Sequence, residues 1–156
     1  MTEKNKFAQS GKTKNVVGSI VTPELSSLRL ILVPVSMKDD LSGPLTKVLI
    51  KRWAKVKDTY KEWYAVRQGF KLGNLTTLAV ASDTWCIFAL CKGEDGKVDA
   101  KALDDCFKKL NEMAKYEKAS VHVSELSVSE LPDCKGLVQK HLLDHGVNTY
   151  FYTEKA

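Results

Sequence analysis

The stretch "ASVHVSELSVSELPDCKGLVQKHLLDHGVNTYFYT" (119–153) decides the fold. Within it, "ASVHVSEL" (119–126) reads as a strand. "DCKGLVQKHLLDH" (133–145) reads as a helix closed by Gly146, and "VNTYFYT" (147–153) as a last strand. A strand–helix–strand run of this kind builds an α/β sheet, and ligands settle where its strands end. The segment "SELSVSELPD" (124–133) stands at that place. Backbone cradles for phosphate use glycine, because only a residue without Cβ lets the chain approach the anion closely. From Ser120 to Asp133 there is no glycine.

Upstream the same alternation continues. "NVVGSIV" (15–21) is a short strand, and "SLRLILVPVS" (27–36) is a nearly continuous apolar run, as in a sheet centre covered on both faces. Leu45, Val48, Leu49, Trp53, Val56, Tyr60 and Trp63 then recur at helical spacing, which predicts one amphipathic helix starting near Ser42 and Pro44. Its other face carries Lys47, Lys51, Lys55 and Lys61. "NLTTLAVAS" (74–82) and "TWCIFALCK" (84–92) are adjacent strands around a turn at Ser82 and Asp83, and "GEDGK" (93–97) is a surface turn. A helix from about Asp99 to Glu117 buries Leu103, Cys106, Leu110 and Met113. The expected fold class is α/β, a three-layer α/β/α sandwich with a central mixed sheet. A single domain spanning 15–156 follows a flexible basic tail at 1–14.

The chain has 156 residues, 44% of them hydrophobic, enough for the core of one domain. No apolar run approaches bilayer length, so no membrane span is expected. The beginning lacks the apolar core of a secretory signal, and the four cysteines (Cys86, Cys91, Cys106, Cys134) show no CxxC spacing. Reduced thiols in an intracellular protein, cytoplasmic or nuclear, are the expectation. The net charge of +5 favours polyanions such as nucleic acid. A lysine-rich helix face interrupted by Asp58 and Glu62 is more commonly the ordinary solvated face of a helix.

Motifs for catalysis are few. His141 and His145 lie one helical turn apart, but Leu142 stands where a metalloprotease helix has its glutamate, and no third ligand is spaced for a metal. No nucleophile elbow, P-loop or dinucleotide fingerprint occurs. Asp104 and Asp105, like Asp39 and Asp40, are consecutive and point apart, with Asp104 and Asp105 solvated on a helix face. No metal, cofactor or catalytic residue is assigned. "SMKDDLSGPL" (36–45) is more informative, because Ser42 and Gly43 precede a helix N-terminus, whose amides suit an anion or pyrophosphate.

With these residues in view, the chain resembles the macrodomains, a family of ADP-ribose-binding modules. The resemblance rests on "YEKASVHVSELSVSELPDCKGLVQKHLLDHGVNTYFY", "LTKVLIKRWAKVKDTYKEW" and "FKLGNLTTLAVASDTWCIFAL", and runs from about Val16 to Tyr152. It is nearest to the branch holding the terminal ADP-ribose-protein glycohydrolase and the macrodomain of a poly-ADP-ribose-sensing chromatin remodeller. Relatives have Gly-Asp-Ile after the first strand, and here Ser19 precedes Ile20. Ser36 stands near the family's asparagine, and the glycine-rich first loop is reduced to "LSGPL" around Gly43. The second phosphate loop becomes the segment with Ser127, Val128, Ser129 and Glu130. The lysine of the glycohydrolase branch falls near Ala79, and its acidic partner corresponds to Glu130 or Asp133. The resemblance thus implies a macrodomain-like module with a remodelled ADP-ribose site and no hydrolase activity, contacting nucleic acid or a protein assembly. The alternative is a divergent ADP-ribose binder or hydrolase. In that reading Ser19 and Ser36 touch the base and distal ribose, Gly43 with the helix amides holds phosphate, and Asp39, Asp40 or Glu130 activates water.

Overall fold

The computed structural model describes residues 11–21, 28–38, 41 and 43–153. Six strands form one mixed sheet in the order β1-β6-β5-β2-β4-β3. They are β1 (Thr13–Val17), β2 (Arg29–Ser36), β3 (Leu75–Ala81), β4 (Thr84–Lys92), β5 (Ser120–Ser124) and β6 (Thr149–Thr153). Neighbours pair in parallel except β3, which closes a hairpin on β4 through Ser82 and Asp83. The five parallel strands therefore end along one edge, where ligands of open α/β sheets are held.

All eight residues of β2 are buried, as its apolar run predicts. Alternation along the strands divides the core in two. Leu30, Leu32, Ile87, Ala89, Val121 and Val123 point to the face covered by α3 (Ala100–Glu117) and α5 (Cys134–His141). Ile31, Val33, Val35, Cys86, Phe88 and Leu90 point to the face covered by α1 (Pro44–Arg52) and α2 (Lys55–Val66). This is the expected α/β/α sandwich. Trp53 and Trp85 are partly buried and pack against these two cores.

The single long helix expected after Pro44 is two helices. Trp53 takes an extended conformation (φ −135°, ψ 97°) and ends α1, and α2 begins at Lys55. Leu49 and Val56, on either side of the break, still both face the sheet. The apolar period stays in phase across the break, so periodicity conceals it. The first strand begins at Thr13 rather than Asn15, and residues 18–21 turn away from the sheet instead of extending it. The last helix is shorter than expected, with a 3₁₀ turn at Leu143–His145 before Gly146 in the left-handed region (φ 83°).

The largest difference lies in "SELSVSE". Instead of a loop it forms α4 (Glu125–Glu130), capped by the Ser124 hydroxyl, which accepts from the Leu126 amide at 3.0 Å.

All four cysteines are buried free thiols, and burial pushes each up to about 12. The folded protein at pH 8 is expected to resist a thiol-specific chromophoric reagent, and all four groups should react once denaturant is added. Rapid labelling of the folded chain would contradict this packing.

Candidate functional site

The ends of β2 and β4, the start of α1 and the end of α4 supply the residues of the crevice. Beyond β1, the Ser19 hydroxyl accepts from the Val21 amide at 3.3 Å, while the Ile20 side chain is fully buried in the core beneath α1 and α2. Ile20 is therefore a packing residue, and of that pair only Ser19 is partly exposed.

At the end of β2 the ladder to β4 slips by one residue between Val35 and Ser36. Ser36 is buried, and its carbonyl accepts from the Tyr60 hydroxyl at 2.5 Å. Its own hydroxyl accepts weakly from the Lys38 amide at 3.4 Å. Asp39, Asp40 and Ser42 lie outside the described residues. Gly43 is the N-cap of α1, with no side-chain cap and Pro44 in the first turn. The Thr46 hydroxyl turns back to the Leu41 and Gly43 carbonyls, at 2.8 and 3.0 Å.

A cavity of about 300 Å³ opens between Ser36, Lys38, Gly43, Lys92, Asp95, Gly96 and Glu130. Lys92, the last residue of β4, forms an ion pair with Glu130 at the end of α4. The pair bridges two walls of the crevice. Of the expected site residues, Ser36, Gly43 and Glu130 line this one cavity, and Ser19 is not among its lining residues. The sequence reading missed Lys38, Lys92, Asp95 and Gly96. A signal for Lys92 exists, since it is the first charge after the apolar run of β4. Gly96 sits in the left-handed region (φ 78°) with the Lys38 side chain against it, which a surface-turn reading does not reveal.

The α4 residues behave as helix residues. Ser127 is buried with its hydroxyl unpaired among the described residues, and Val128 packs on the core under α3 and α5. Ser129 donates to the Glu125 carbonyl at 3.1 Å. The Leu131 amide donates to the Ser127 carbonyl at 2.9 Å, so this backbone is committed to the helix. Lys47 and Lys51 on α1, and Lys55 and Lys61 on α2, are exposed on the outer surface. The break at Trp53 divides them between two helix axes.

Among the described residues no group of three or more His, Cys, Asp or Glu is placed to hold a metal ion, and no helix is long and apolar enough to cross a membrane. Asp104 is not merely solvated. Its carboxylate accepts from His141 at 2.7 Å and lies 3.6 Å from the Lys140 ammonium, tying α3 to α5. The His141 hydrogen bond holds the Asp104 carboxyl below the usual range.

One further cluster has the outline of a nucleophilic relay. His122 is fully buried on β5, with Nε2 at 2.8 Å from the Ser120 hydroxyl and Nδ1 at 2.7 Å from the Tyr152 hydroxyl. Burial, assisted by the nearby Arg29 charge, pushes the imidazole down to about 3. Such a ring is neutral at physiological pH and far too weak a base to take the Ser120 proton. The cluster is a hydrogen-bonded core element.

No protein-family model matches the chain, and no curated protein does. Solved structures do. A macrodomain protein from Streptomyces coelicolor superposes with a TM-score of 0.83 at 17% identity, covering 90% of this chain and 98% of its own. The macrodomain of Thermus aquaticus DarG gives 0.72 at 14% identity, covering 91% and 98%. Thermosipho africanus DarTG, solved in complex with ADP-ribose, gives 0.65 at 15% identity, over 81% of this chain and 38% of that one.

Proposed function

We propose that this chain, which has the macrodomain fold, is a binding module with a remodelled ADP-ribose crevice and no hydrolase activity. The observation that carries the reading is α4. A diphosphate cradle needs backbone amides turned toward the anion. Residues 125–130 instead form a glycine-free helical turn whose Leu131 amide is already bonded to Ser127. The space left beside it, about 300 Å³, is at the small end for a ligand pocket, and the Lys92–Glu130 ion pair crosses its wall. Glu130, a candidate acid, is engaged by Lys92 rather than poised over a water. A module of this kind serves a macromolecular partner, a nucleic acid or a protein assembly.

A second reading, a divergent binder of ADP-ribose or a related nucleotide, is favoured by one observation. Gly43 and the N-terminus of α1, which no side chain caps, lie in the same cavity as Lys38 and Lys92, and such amides and ammonium groups suit a phosphate even with Asp95 and Glu130 in the same lining.

Calorimetric titration of the intact chain with ADP-ribose at moderate salt separates the two. A flat titration up to hundreds of micromolar (roughly 5 kcal/mol or weaker) is expected. Micromolar binding that is lost in Gly43→Ala and Ser36→Ala would establish the second reading. Gly43→Ala is a clean probe, because its φ of −64° suits alanine and the added Cβ meets only the Thr46 hydroxyl at 3.8 Å.

A further inference from the structure

Two cavities open at the opposite edge of the sheet, where the parallel strands begin. One, of about 380 Å³, lies between the end of α3 and the start of β5 and β6, and its walls include Lys115, Lys118, Ser120, His145, Asn148 and Tyr150. The other, of about 300 Å³, is lined by Lys12, Thr13, Lys14, Asn148 and Tyr150. They share Asn148 and Tyr150, and so adjoin as the two parts of a groove. The groove is fixed by backbone and side-chain bonds. The Lys12 amide donates to the Asn148 side-chain oxygen at 2.8 Å, and the Thr149 amide donates to the Lys12 carbonyl at 2.9 Å.

Among the described residues, the lining of the two cavities holds Lys12, Lys14, Lys115, Lys118 and His145, and no carboxylate. A chain whose net charge is only +5 thus concentrates like charge along one channel. At its middle stands Tyr150, partly exposed, with its ring stacked on buried His122 at a centroid distance of 4.7 Å and 10° between planes. His122 is itself held between Ser120 and Tyr152. The tyrosine ring is therefore oriented before anything binds, so a second ring stacking on it costs little side-chain entropy.

We propose that this groove, at the sheet edge opposite the crevice, binds single-stranded nucleic acid. Lysines along the channel meet phosphates, and Tyr150 stacks with a base. Aromatic rings set among cations recognise a single strand, whose bases are open to stacking, whereas a duplex offers them no face. Lys47, Lys51, Lys55 and Lys61 of α1 and α2 line neither of these two cavities.

The test is fluorescence anisotropy of the full chain with a labelled 20-nucleotide oligo(dT) and its RNA equivalent, over a salt series. Lys12→Glu combined with Lys115→Glu is expected to weaken binding by about tenfold or more and to flatten the salt slope by roughly one to two. Tyr150→Ser should cost about tenfold with the salt slope kept, and Tyr150→Phe should retain binding, since only the ring is required. The pair Lys47→Glu and Lys51→Glu should leave affinity within about twofold, given that those residues lie outside the groove. Thermal melting shows which variants remain folded. Absence of oligonucleotide binding at low salt overturns the proposal, as does equal weakening by the α1 pair. Equal affinity for heparin with no effect of Tyr150→Ser also overturns it, leaving a polyanion surface only. Excess ADP-ribose should not displace the oligonucleotide, so ADP-ribose binding elsewhere would refute the remodelled crevice and leave the groove standing.

Discussion

Lowering the pH from 7 to 4 is expected to destabilise the fold by about 3 kcal/mol through His122 alone. The ring is fully buried and its proton affinity is depressed to about 3, against 6.5 for an ordinary histidine. Between these values the unfolded chain binds a proton that the native state does not. The stability contributed by the neutral ring is complete above about pH 6.5 and is lost progressively as pH falls toward 3. Urea midpoints at pH 7, 5.5 and 4 measure the slope. Carboxylates such as Asp83 and Asp104, both held low by hydrogen bonds, also contribute acid sensitivity, so the variant isolates the histidine. His122→Gln should be the less stable protein at pH 7, having lost ring packing on Tyr150, yet its stability should fall less steeply with acid. An unchanged slope in that variant would mean that His122 titrates normally and is not buried as described.

Replacing Tyr60 should have the largest effect on the crevice. Its side chain is fully buried on α2, packed against Tyr64 and Phe70 with ring centroids 6.4 and 6.2 Å away. Its hydroxyl reaches across to the Ser36 carbonyl, where the β2–β4 ladder slips. Tyr60→Phe keeps the ring and strands that carbonyl, at a cost of about 1–2 kcal/mol. Tyr60→Ala also opens a cavity, and the total should reach roughly 3–5 kcal/mol. Chemical denaturation of both variants separates the hydrogen bond from the packing. If Tyr60→Phe were neutral, the Ser36 carbonyl would have another partner, and the end of β2 would not depend on α2.

The stretch at 119–153 was legible because its signals are local. β5 and β6 announce themselves by β-branched and aromatic residues, and Gly146 marks the stop before β6. The segment between them was misread. Serine and valine are weak helix formers, so composition favoured a loop in "SELSVSE". A cap signal was nevertheless present, since Ser124 followed by Glu125 is an N-cap with an acidic first turn. Without that helix the missing glycines look like a damaged cradle. With it, they are what a helix prefers. The crevice was half legible: Ser36 ends the apolar run of β2 and Gly43 precedes the helix at Pro44, whereas Lys92 gains its role only from Glu130, a partner far along the chain.

Alternation and helical period are properties of neighbouring residues, so the chain alone determined the strands, the layered fold class and the burial of β2. The break at Trp53 leaves that period in phase, and only packing on the sheet decided it. The same holds for the groove. Lys12, Lys115 and Tyr150 are scattered along the chain and come to line adjoining cavities only when β1 pairs with β6 and α3 ends beside them. Charge acts through distance in space, which sequence separation does not record.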